Sequence, residues 1–201
     1  RIFKYPGEKI TITPLAANEM TKGTDPKTVK EKYNLPDNFI LAVSGLEPRK
    51  NVSVLVDAIH DTKLVIVGGK GWKSKELQKK IAKAGDKIIH IENCPPEDLH
   101  AFYKLAKIFV YPSIYEGFGL PPLEAMANGC PVICSNTSSL PEVCGDAAIY
   151  INPKSTKEIE GAITELLNNE KLRRELIEKG FIQAKKFSWQ ETAKKTLAAF
   201  S

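Results

Sequence analysis

The sequence predicts an α/β fold: a parallel sheet with helices on both faces and a helical C-terminal end. Three observations carry it. Short, nearly continuous apolar runs rich in β-branched residues recur at 39–44, 63–67, 87–91, 108–111, 131–135 and 148–151. Segments of helical length and composition lie between them, at 51–60, 74–84, 97–106 and 122–127. After Ile151 the rhythm gives way to three helical patterns, at 155–167, 170–185 and 189–200. A strand that is apolar along its whole length must bury both of its faces, and a parallel sheet sandwiched between helices offers that burial.

Each element has a local reason. Residues 9–15 alternate apolar and polar like an entering strand, 18–25 are polar and turn-rich, and Pro26 opens a short helix. Pro95, Pro96, Pro121 and Pro122 stand where helices begin, the position at which a missing N–H costs nothing. In the segment 74–84, Lys75, Lys79, Lys80 and Lys83 surround Leu77 and Ile81, with Lys73 just ahead. That spacing describes a solvated helix with a narrow core stripe rather than a nucleic-acid surface.

Composition narrows the function classes. A chain of 201 residues supports one α/β core, so a single domain spanning 1–201 is expected. No apolar run approaches the roughly 18 residues of a membrane span. Residues 1–7 lack the apolar stretch of a secretory signal, which predicts a cytoplasmic setting. Cys94, Cys130, Cys134 and Cys144 form no Cys-x-x-Cys pair and meet no histidine cluster, so they read as reduced, and Cys130 and Cys134 as buried packing groups. A net charge of +5 suits an anionic ligand, nucleic acid or an anionic lipid surface equally.

Ligands of open parallel sheets bind beyond the carboxyl ends of the strands, so the loops after strands carry the chemistry. The loop after 39–44 reads Gly45-Leu46-Glu47-Pro48-Arg49-Lys50-Asn51. Gly45 permits close backbone approach, and Arg49 with Lys50 at a helix start can neutralise a diphosphate, although a solvated turn fits the same residues. The loop Gly68-Gly69-Lys70-Gly71-Trp72 looks like a phosphate cradle but matches no phosphate-binding pattern. Most informative is the loop from Tyr111 through Glu116, Gly117, Phe118, Gly119 and Leu120 to Glu124. Two carboxylates flank a glycine turn there, the first in the loop and the second in the helix that follows. Carboxylates accept hydrogen bonds from neighbouring hydroxyls, so the pair suits a ligand with ribose at one end and sugar at the other.

Glu116 and Glu124 make an E-x7-E pattern within Tyr-Glu-Gly-Phe-Gly-Leu-Pro-Pro-Leu-Glu-Ala-Met. In that setting the chain resembles the large retaining glycosyltransferase family of GT-B fold called group 1 or family 4. The likeness continues through Gly129-Cys130-Pro131-Val132-Ile133, Ser135 to Val143, Gly145-Asp146-Ala147-Ala148 and Leu46 to Asn51, covering the chain from about Lys9 onward. It implies one half of a GT-B fold, Rossmann-like, with the N-terminal acceptor-binding domain of the same enzyme absent from this chain.

By the same resemblance, Arg49 and Lys50 hold the donor diphosphate beside Gly45. Glu124 takes the ribose hydroxyls. Glu116, with Gly117 and the amides of Phe118, Gly119 and Leu120, takes the transferred sugar. Asn93 and Cys94 meet the base. Glu116, Arg49 and Lys50 are the catalytic candidates. Many members carry arginine directly after the glycine, where this chain has Leu46, so the phosphate role rests on Arg49 and Lys50. No Asp-x-Asp occurs, so no metal or other cofactor is expected, and cations and amides supply the positive potential. The implied activity is retaining transfer from a nucleoside-diphosphate sugar, with GDP-mannose the first expectation. The acceptor is not named by any motif, and peripheral membrane contact of the full enzyme is compatible with the lysines. The rival is a non-catalytic nucleotide-sugar-binding or regulatory module. The Glu-Gly-Phe-Gly loop argues against a nucleic-acid partner.

Overall fold

The computed structural model describes residues 7, 10–17 and 23–200. Six parallel strands, β1 (Phe39–Val43), β2 (Lys63–Val67), β3 (Ile88–Ile91), β4 (Ile108–Tyr111), β5 (Val132–Ser135) and β6 (Ala148–Ile151), form one sheet. Their spatial order is β3-β2-β1-β4-β5-β6. Helices α1 (Pro26–Lys32), α2 (Val52–Ala58), α3 (Lys75–Ala84), α4 (Pro96–Leu105), α5 (Leu120–Ala127), α6 (Leu140–Cys144), α7 (Thr156–Asn168), α8 (Glu170–Ala184) and α9 (Trp189–Ala198) complete the fold.

Side-chain alternation along the strands explains the two cores. In β1, Phe39 and Leu41 face one side, where Val29 of α1, Phe102 and Tyr103 of α4 and Met126 of α5 pack. Ile40 and Ala42 face the other, against Leu55 of α2 and Ile159 and Ile163 of α7. Each such side chain, removed from water on both faces of the sheet, contributes about 1.5–3 kcal/mol to burial. Leu46 is sunk in the second core at 1% exposure and is therefore a packing residue.

Helix ends follow the capping chemistry. The Asp25 carboxylate accepts from the amides of Lys27 and Thr28 ahead of α1, Ser155 from Glu158 ahead of α7, Asn169 from Leu172 ahead of α8, and Ser188 from Glu191 ahead of α9. Prolines occupy the first turns of α1, α4, α5 and α6, as expected for residues without an N–H to lose.

Two expectations are corrected, and one element is added. Residues 10–15 form no strand: they pair with neither edge of the sheet, and Ile10 and Ile12 are 58% and 71% exposed. Alternation makes a strand only where an edge is offered, and here the Pro14 carbonyl is taken by the Thr192 hydroxyl of α9 instead. Residue 9 of that segment, and 18–22 of the turn-rich stretch, lie outside the described residues. The helix expected from residue 51 is α2, which starts at Val52, and Arg49 and Lys50 sit in a preceding 3-10 turn, Pro48–Lys50. Asn51, at φ 57°, breaks the two apart. The short α6 was not anticipated, since its five residues carry too little periodicity to read.

The strand order reverses direction between β1 and β4. From β1 the chain steps outward to β2 and β3, and from β4 outward to β5 and β6, which makes the carboxyl ends of β1 and β4 the switch point where open parallel sheets take their ligands. The loops after those two ends carry Arg49, Lys50 and Glu116.

Candidate functional site

The crevice is built around one carboxylate. Glu116, 9% exposed, follows β4, and Arg49 and Lys50 follow β1. Lys50 Nζ donates to Glu116 Oε1 at 2.8 Å, and Arg49 NH1 stands 3.0 Å from Oε2. Oε1 also accepts from the Tyr111 hydroxyl at 2.9 Å and the Ser113 hydroxyl at 2.7 Å. Lys50 Nζ donates in turn to the Tyr111 oxygen at 2.8 Å. Burial alone would raise the Glu116 pKa. The hydrogen bonds from Lys50, Ser113 and Tyr111 outweigh it and hold the carboxyl below its usual range. For Tyr111 burial and the neighbouring Glu116 charge act together and push its phenol well up, so it remains a donor.

The two cations differ. Lys50 is enclosed, with its side chain 15% exposed, whereas Arg49 is 40% exposed and also lies 3.6 Å from Glu47. Arg49 further donates to the Tyr115 carbonyl at 2.8 Å, and its own carbonyl accepts from the Ile114 amide at 2.9 Å. Asn51 reaches across to the carbonyls of Pro112 and Pro153. The two loops are therefore stitched together before any ligand arrives, which removes reorganisation from the binding step.

The glycine turn is held from behind. The Ser138 hydroxyl accepts from the Glu116 amide at 3.0 Å. The Ser139 hydroxyl contacts the carbonyls of Glu116 and Phe118, at 3.0 and 2.6 Å, and Thr137 donates to the Ile114 carbonyl at 3.1 Å. With those carbonyls drawn toward β5, the amides of Gly117, Phe118, Gly119 and Leu120 are engaged by no other group among the described residues. Gly119 has φ 119°, and a Cβ there would meet Leu140 Cδ2 at 2.8 Å, so only glycine fits. At Gly117 a Cβ would meet nothing within 4 Å, so that position borders open space. The Phe118 ring lies edge-on to Phe187 at 5.6 Å.

Glu124 is placed differently. It lies half-buried on α5, and its Oε2 accepts from the Tyr103 hydroxyl of α4 at 3.0 Å. Burial raises its pKa and the Tyr103 hydrogen bond pulls it part of the way back.

The structure thus brings Arg49, Lys50 and Glu116 together, with Gly117, Phe118, Gly119 and Leu120 in continuous chain beside them. Gly45 lies under the same loop, with Gly69 accepting from the Leu46 amide at 3.0 Å. Asn93 and Cys94 sit on the loop after β3, two strands away, and no described contact joins them to the cluster. Cys94 donates to the Pro95 carbonyl at 3.4 Å, and its thiol is pushed up to about 11 by burial and the Asp98 charge. Tyr103, Tyr111, Ser113, Ser138 and Ser139 were missed as site residues. Tyr111 and Ser113 were legible in principle, being hydroxyls at the end of the strand that carries Glu116. Tyr103 carried no local signal. Among the described residues no three His, Cys, Asp or Glu side chains gather as metal ligands would, and no helix is long and apolar enough to cross a membrane.

Relatives fit this geometry. A family profile described as "Glycosyl transferases group 1" matches residues 25–183. O-antigen chain mannosyltransferase B of Escherichia coli is 36% identical over 214 residues, covering all of this chain and 56% of that protein. MMP alpha-(1->4)-mannosyltransferase of Mycolicibacterium hassiacum is 31% identical over 211 residues, covering 98% of this chain and 49% of that protein. The chain thus spans about half the length of the curated relatives it matches. The solved sucrose-phosphate synthase of Thermosynechococcus elongatus superposes with a TM-score of 0.82 at 25% identity, over 94% of this chain and 51% of that one, so the sheet is one half of a GT-B fold. With the family profile spanning every strand of the sheet and both crevice loops, the chain belongs to the group 1 glycosyltransferases.

Proposed function

We propose that this chain is the donor-binding, C-terminal half of a retaining hexosyltransferase, and that its donor is a nucleoside-diphosphate sugar, GDP-mannose first. One observation carries the reading: Arg49 and Lys50 stand at the switch point of the sheet against Glu116, beside four consecutive unengaged amides. The mannosyl donor is favoured by the mannosyltransferase relatives. In this reading the diphosphate lies over Arg49, Lys50 and the amides, the ribose against Glu124, and the sugar against Glu116 and the turn 117–120. Asn93 and Cys94 border the base.

The difficult event is rupture of the bond between the sugar's anomeric carbon and the β-phosphate oxygen. The electron pair leaves with the diphosphate, and Arg49 and Lys50 stabilise the charge that develops there. Glu116 holds both cations in place and orients the sugar hydroxyls. No metal is required, because fixed cations and amides occupy the role a divalent ion would take. The acceptor domain belongs to the remainder of a longer enzyme that works in the cytoplasm, where the four thiols stay reduced. The present chain alone binds donor without turning it over.

A thermal-shift and calorimetric screen of UDP, GDP, ADP and their sugars in EDTA tests this. GDP and GDP-mannose should bind and raise the melting temperature without added metal. Binding that appears only with magnesium or manganese would overturn the metal-free reading, and indifference to all three nucleotides would overturn the donor site itself.

A further inference from the structure

We propose that Tyr103 is a positioning residue for donor binding, its hydroxyl fixing the Glu124 carboxylate so that the remaining acceptor sites meet a vicinal diol of the ligand. The inference rests on the reading above that Glu124 meets the ribose. Tyr103 is 1% exposed and projects from α4 into the first core, where Phe109 packs edge-on against it at 5.5 Å. The partner of its hydroxyl among the described residues is Glu124 Oε2, at 3.0 Å. A buried hydroxyl left unpaired is costly, so this bond persists whether or not ligand is present. It fixes the plane of the carboxylate, occupies one lone pair of Oε2 and leaves Oε1 wholly available.

The surroundings of Glu124 make this hydroxyl matter. Among the described residues no cation pairs with Glu124: its carboxylate receives the Tyr103 hydroxyl, which opposes the rise in pKa that burial causes. Tyr103 is therefore the side chain that, among the described residues, hydrogen-bonds the carboxylate and favours its ionised form, the form able to accept from two hydroxyls at once.

The experiment measures GDP and 2′,3′-dideoxy-GDP binding to this chain by calorimetry between pH 5 and 8, for wild type, E124Q and Y103F. E124Q should weaken GDP by about tenfold or more and leave dideoxy-GDP within about twofold. Y103F should weaken GDP by roughly three- to tenfold near pH 6, spare dideoxy-GDP, and move the low-pH midpoint of GDP binding upward, so that raising the pH restores much of the affinity. Site-specific 3-fluorotyrosine at position 103, a stronger donor of nearly the same size, should move that midpoint down, and it keeps the test open if Y103F fails to fold. Unchanged GDP affinity in E124Q would overturn the ribose assignment, and this inference with it. A weakened E124Q beside an unmoved pH midpoint in both Tyr103 variants would overturn the role of Tyr103 alone.

Discussion

Glu116 and Glu124 stand eight positions apart, one buried and the other half-buried, yet the protein treats them in opposite ways. Around Glu116, two cations and two hydroxyls converge, and the pKa is lowered despite burial. Around Glu124 a single neutral hydroxyl answers the burial, and the pKa is raised. The lesson is that a buried carboxylate is defined by what converges on it. The first is a fixed counter-charge that organises the cations of the crevice. The second keeps unfilled acceptor capacity, which is what a site for ligand hydroxyls needs.

The widest separation between the two should appear in kinetics. In a longer enzyme that includes the acceptor domain, Glu116→Ala should lower turnover by about a hundredfold or more, the scale of losing a preorganised electrostatic group. The same substitution in this chain should spare GDP affinity or tighten it, because Arg49 and Lys50 lose their counter-charge. Glu124→Ala should instead weaken GDP by roughly 1–3 kcal/mol. Equal affinity losses in both variants, with no extra kinetic defect at Glu116, would merge the two carboxylates into one nucleotide clamp.

Stability against pH should divide them by sign. The folded-state pKa of Glu116 lies below the ordinary 4.5, so its contribution is present above 4.5 and is lost as the pH falls through the lowered value. The folded-state pKa of Glu124 lies above 4.5, so its contribution is present below 4.5 and is lost as the pH rises through the raised value. At pH 7, Glu116→Gln should therefore cost about 1–3 kcal/mol, because Lys50 keeps its charge without its partner, whereas Glu124→Gln should be neutral or stabilising. Denaturant melts at pH 4 and pH 7 read both signs, and a destabilised Glu124→Gln at pH 7 would break the contrast.

The smallest effect belongs to the lysine face of α3, which serves as the control. Lys75 and Lys79 are exposed, and among the described residues Lys79 pairs with Glu76 on the same surface. Replacing both with glutamine should leave GDP affinity within about twofold at physiological salt. Lys80 is set apart from them by its bonds to Ser53 and Asp57 of α2, so its replacement tests the α2–α3 contact rather than the ligand. A larger affinity loss from Lys75 and Lys79 would place that face in the site.

By itself the sequence determined the alternation of strands and helices, because side-chain periodicity is set by backbone geometry and written locally. It also marked the loops with chemistry, since Arg49, Lys50, Glu116, Gly119 and Glu124 are unusual where they stand. Residues 10–15 misled for the same reason: alternation is local, but a strand needs a partner that only the assembled sheet can offer or withhold. Tertiary structure decided the rest. Lys50 and Glu116 are 66 positions apart and meet because the sheet places β1 beside β4. Tyr103 reaches Glu124 because α4 and α5 cover the same face, and Ser138 and Ser139 reach the glycine turn because β5 lies next to β4. Strand order is selected by crossover handedness and core packing across the whole chain, so these meetings leave no imprint on any one segment.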